Sequence, residues 1–142
     1  MNGIKMNDCR FYVDEERRVV VCVIPNTRDM LLDFVREHFC WANINIFDAI
    51  DGNLYRRDLK LPRSFTGKAV CAPEDNWDVE TGKMIAFSRA KDKCYKSFFK
   101  RANRLVQEID ARLGDMITIF NEFGVKLENK REALQKQIDE RV

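Results

Sequence analysis

The chain has 142 residues, 45% hydrophobic and 34% charged, and its 25 basic side chains barely outnumber 23 acidic ones, giving a net charge of +2. This is one domain's length, enough for a modest core, and the composition is neither that of a disordered chain nor that of a membrane protein. So small a charge excludes nucleic-acid capture by overall electrostatics, and any anion site must come from local clustering.

The longest apolar run, Val19 to Ile24, is far too short to cross a bilayer. The first ten residues, MNGIKMNDCR, lack the apolar segment of a secretory signal, so the expected place is the cytoplasm, with no membrane partner. Five cysteines (Cys9, Cys22, Cys40, Cys71, Cys94) are scattered with no CxxC pair and read as small buried hydrophobes. A lone histidine, His38, with no second histidine to join it, argues against zinc. No cofactor is expected.

In chain order, Cys9 to Val13 and Arg18 to Ile24 read as strands joined by the acidic turn DEER, the second β-branched and central. Pro25-Asn26 ends it. Thr27 or Asn26 is then expected to cap a helix, TRDMLLDFVREHF. The alternating segment NINIF reads as a further strand. Asp51-Gly52-Asn53 forms a turn, and a possible strand or loop follows around Leu59. Arg56, Arg57 and Arg63 precede the next strand, Phe65 to Ala72, which Pro73 stops. The loop PEDNWD leads into a long helix with Asp78 or Thr81 as N-cap and Glu80 near its positive end.

Along that helix Met84, Phe87, Ala90, Cys94, Phe98, Ala102, Leu105 and Ile109 recur at helical spacing. Lys83, Arg89, Lys91, Lys93, Lys96, Lys100, Arg101 and Arg104 occupy the opposite side. The stripe continues through Leu113, Met116, Phe120 and Phe123, then Leu127, Leu134 and Ile138. Gly114 and Gly124 are candidate breaks, and Asn129 with Glu132 resembles a capping box, so a long helix followed by a shorter one is expected. The predicted class is α+β: a small antiparallel sheet with one packed helix, followed by long C-terminal helices that mediate oligomerisation. The whole forms a single domain, residues 1–142, with 1–77 mainly sheet and 78–142 helical.

No GxSxG, Walker or GxGxxG motif is present, and the chain reads as a binder rather than an enzyme. Glu74, Asp75 and Asp78 are expected to solvate a turn and cap a helix rather than hold a metal. The aromatics Phe65, Trp77 and Tyr95 lie near basic residues in sequence, a mixture suited to a nucleic-acid strand or a small nucleotide.

The strand GKAVCAPEDNWD running into ETGKMIAFSRAKDK resembles small bacteriophage and prophage proteins. With the sheet-then-helices layout, the chain is similar to the first Thoeris anti-defence family over about Gly67 to Lys93. The resemblance implies a sponge in the host cytoplasm that binds, without cleaving, the cyclic ADP-ribose signal of a TIR-domain enzyme. It also implies a dimer or higher oligomer. The ligand's chemistry then selects Arg57, Arg63, Lys83, Arg89 and Lys93 for phosphates, with Arg89 preferred, and Phe65 or Trp77 for stacking on the adenine. Asn53, Thr66 and Asn76 are candidates for hydroxyls or the base edge. The alternatives are a phage nucleic-acid-binding protein and an inhibitor that grips a host protein.

Overall fold

The computed structural model describes residues 3–38, 40–41, 44–45 and 59–141. The chain falls into two units, Met1–Leu105 and Val106–Val142. In the first, a 3-10 turn at Met6–Asp8 precedes strand β1 (Arg10–Asp14) and strand β2 (Val19–Pro25), an antiparallel hairpin with Val13 opposite Val20. Arg18 closes the turn at φ 51°, a left-handed conformation that reverses the chain within the four residues before β2. Strand β5 (Ser64–Val70) adds on the other side of β2, antiparallel, with Gly67 opposite Cys22, so the order is β1-β2-β5.

The run of β-branched residues is the central strand, as its composition implies. Val20, Cys22 and Ile24 are buried on one face, and Val19, Val21 and Val23 are half-buried on the other. Asn26 follows at φ 58° and turns the chain out of the sheet.

Helix α1 spans Met30–His38 and buries Leu31, Leu32 and Val35. Thr27 does not cap it. That residue is fully buried, and its hydroxyl donates to the Pro62 carbonyl at 2.5 Å, tying the start of α1 to the segment before β5. Around Leu59 the described residues form no strand, yet Leu59 and Leu61 are both core, and the Leu61 amide donates to the Arg28 carbonyl. Strands β3 (Cys40–Trp41) and β4 (Ile44–Asn45) pair with each other as a separate two-stranded antiparallel sheet among the described residues. The remainder of NINIF, the Asp51-Gly52-Asn53 turn and Arg56 lie outside the described residues.

Helix α2 runs from Val79 to Arg141, 63 residues, and packs against the sheet. Its buried positions in the first unit are Gly82, Ala86, Ala90, Cys94 and Leu105, the first four at intervals of four. Small residues let the helix approach the sheet closely, and the strand beneath answers with Gly67 and Ala69. The expectation that the stripe begins at Met84 is therefore corrected: Met84 is 61% exposed, and the true contact face starts at Gly82. Phe34 of α1 meets Phe98 edge-on, with ring centroids 5.3 Å apart.

The expected break at Gly124, or at Gly114, does not occur, and Asn129 is an interior helical residue. Neither glycine adopts the positive φ that ends helices. A penalty of about 1 kcal/mol per glycine is too small to stop a helix with good formers on both sides. The Thr118 hydroxyl donates to the Gly114 carbonyl at 3.1 Å, and Glu128–Arg131 and Lys136–Glu140 pair one turn apart. No described helix is long and apolar enough to cross a membrane.

Candidate ligand site

Strand β5 lies at the sheet's edge, where backbone groups need cover. Helix α2 supplies it with two cations. Arg89 donates from Nη1 to the Lys68 carbonyl at 2.7 Å, and Lys93 donates from Nζ to the Thr66 carbonyl at 2.9 Å. Positions 89 and 93 are one helical turn apart and positions 66 and 68 share one strand face, so the two periodicities meet in register. Both cations keep donors in hand, since a guanidinium has five N–H groups and an ammonium three.

The loop between β5 and α2 is held from a distance. Arg18, in the turn just before β2, donates from Nη1 to the carbonyls of Pro73 and Asp75, and its own carbonyl accepts the Cys71 amide. Asp78 then caps α2. Its carboxylate accepts the Thr81 hydroxyl and the backbone amides of Glu80 and Thr81. The Thr81 hydroxyl, followed by those amides, holds the Asp78 carboxyl below its ordinary range.

Between the loop, the end of β5 and the first turns of α2 is a cavity of about 300 Å³. Ala69, Val70 and Ile85 give it apolar wall; Asp75, Asn76, Asp78 and Thr81 give it oxygen acceptors; Trp77 forms one side. The Trp77 indole N–H is buried and has no hydrogen-bond partner among the described residues. Such a group is rare in a folded protein and costs about 1–3 kcal/mol when left unsatisfied. No Lys or Arg is among the lining residues, and two carboxylates are, so the cavity accepts hydrogen-bond donors and repels an anion. An adjoining surface groove shares Ile85 and is lined by Met84, Ser88, Arg89 and Asp92.

The structure thus gathers Asn76 and Trp77 at the cavity, with Arg89 in the next groove, and sets Thr66 and Lys93 together on the covered strand edge. Phe65 and Trp77 both pack partly buried against the core cluster, and of the two Trp77 is the one that also lines the cavity. Lys83 pairs with Glu80 at 3.1 Å and lies 6.0 Å from the Phe11 ring. Arg63 is exposed, with its carbonyl accepting the Thr27 amide. Arg57 and Asn53 lie outside the described residues.

Arg18, which fixes the loop, has no local sequence signal, because its partners are more than fifty residues away. Among the described residues no cluster of His, Cys, Asp and Glu is arranged to hold a metal. Burial raises the thiols of Cys9 and Cys94 and pushes that of Cys22 up to about 12, with Cys9 adding to the effect on Cys22. These are poor nucleophiles. No protein-family model matches the chain, and no curated protein or solved structure is significantly similar to it.

Proposed function

We propose that the protein captures a small cyclic nucleotide of the cyclic ADP-ribose type and holds it intact, the role implied by its resemblance to the first Thoeris anti-defence family. The observation that carries this reading is the Trp77 wall. The indole stands beside the apolar Ala69, Val70 and Ile85 and the polar Asp75, Asn76, Asp78 and Thr81 in a cavity of about 300 Å³. That volume is at the lower end of small-molecule sites and suits a nucleoside portion. An adenine has a π-face for the indole and an exocyclic amine for Asp75 or Asn76.

The phosphates belong elsewhere. Asp75 and Asp78 oppose an anion inside the cavity, whereas Arg89 in the neighbouring groove retains donors after serving Lys68. One ligand laid across Ile85 satisfies both halves.

The test is mass spectrometry of small molecules released by heating the protein after incubation with TIR-activated lysate, alongside calorimetry with purified cyclic ADP-ribose isomers. Intact ligand at one per site is expected, with binding lost in Trp77→Ala and largely kept in Trp77→Phe. A cleaved product, or an affinity that falls steeply with salt toward nucleic acid alone, would overturn the reading in favour of an enzyme or a nucleic-acid binder.

A further inference from the structure

In the second unit, Val106, Leu113, Phe120, Leu127 and Leu134 follow one another at seven-residue intervals on α2. Ile109, Met116 and Phe123 stand three residues after the first three of them. Leu127, the least accessible of the five and the two phenylalanine and methionine neighbours, is still 50% exposed, and Phe120 is 68% exposed. A seam that repeats every 3.5 residues on a helix of 3.6 per turn stays in contact only with another helix wound around it.

The charges beside the seam select the partner. Flanking the seam, Asp110 and Arg131 stand one position after Ile109 and Lys130 on one side, and Arg112 and Lys126 one position before Leu113 and Leu127 on the other, while Glu108, Asp115, Glu122 and Glu128 lie away from it. We propose that the seam is filled by the same segment of a second copy, running antiparallel, with Phe120 facing Phe123 of that copy. Leu127 then meets Met116 and Leu134 meets Ile109 of the second copy, each twice by symmetry. Lys130 is the charged residue on the seam. It falls against Leu113 and beside Asp110 of the second copy, and Arg131 reaches the same carboxylate.

A parallel pair would set Lys130 on its own equivalent and Lys126 beside Arg131, like charge on like. The segment is its own complement only when reversed. This inference rests on the second unit alone and is independent of the nucleotide reading.

Analytical ultracentrifugation of the full chain at micromolar concentration is expected to show a species of two chains; a monomer or a trimer overturns the proposal. Phe120→Glu, which brings two carboxylates to the centre of the seam, is expected to give a monomer whose far-UV circular dichroism retains the sheet. Because that variant can fail by misfolding, a charge exchange supplies the second arm. Asp110→Arg is expected to weaken the dimer about fivefold or more, and adding Arg131→Asp to restore most of the loss. A dimer indifferent to Asp110→Arg, or a double variant no tighter than the single one, overturns the antiparallel register.

Discussion

Gly67 and Ala86 stand so close that a Cβ on the glycine would run into the Ala86 carbonyl oxygen and the Ala90 amide, both backbone atoms of α2. The strand and helix are in contact at the level of their main chains. Neither neighbour can swing aside as a side-chain end would. Gly67→Ala is therefore expected to destabilise the first unit by about 3 kcal/mol, at the upper end of overpacking costs. Urea unfolding followed by far-UV circular dichroism checks it, and a midpoint equal to that of the native chain would mean that helix and strand have room to part.

Arg89 has two tasks, and its variants should separate them. Losing the bond to the Lys68 carbonyl is expected to lower stability by about 1 kcal/mol, less than a buried charged hydrogen bond because the side chain is exposed. Arg89→Ala is also expected to weaken cyclic nucleotide binding at least tenfold, about 1.4 kcal/mol. Arg89→Lys should recover part of both. If calorimetry finds full affinity in a slightly destabilised Arg89→Ala, the guanidinium serves only the strand edge.

The Asp78 cap makes a pH prediction with a definite sign. Its carboxyl is held below the ordinary range by the Thr81 hydroxyl and the amides of Glu80 and Thr81, so the folded state binds the proton more weakly than the unfolded one. The cap's stabilisation is complete above the ordinary carboxylate range and disappears as pH falls through the depressed folded value. Asp78→Ala should melt lower than the native chain at neutral pH, and the gap should narrow in acid. A gap independent of pH would assign the effect to something other than ionised capping.

The thiols should sort by burial. Cys22, raised to about 12, and Cys94 are both buried, so neither should react with iodoacetamide at pH 8 until the protein is unfolded. Cys71 is partly accessible, with its sulfur directed at the carbonyls of Ala72, Asp75 and Asn76, and is expected to label first. Peptide mass spectrometry after timed labelling gives the order. Rapid labelling of Cys22 in the native chain would contradict the packing of β2.

The sequence by itself determined the hairpin, the central β-branched strand and the α+β class, and narrowed the cap of α2 to Asp78 or Thr81. Each depends on groups a few residues apart: alternation in β2, a carboxylate two and three residues before open amides, proline and asparagine at strand ends. It also exposed the cations and the apolar repeat of α2, though not which face of that helix meets the sheet.

That choice needed Gly67, because only a strand with a bare backbone can take the small face through Gly82, Ala86 and Ala90 and leave Met84 outside. The same contact directs Arg89 and Lys93 onto the carbonyls of β5, and Arg18 reaches the loop that follows the neighbouring strand. Periodicity along the chain carries no information on such pairings; they follow from the register in which distant segments close, and that register is fixed only when strand and helix backbones touch.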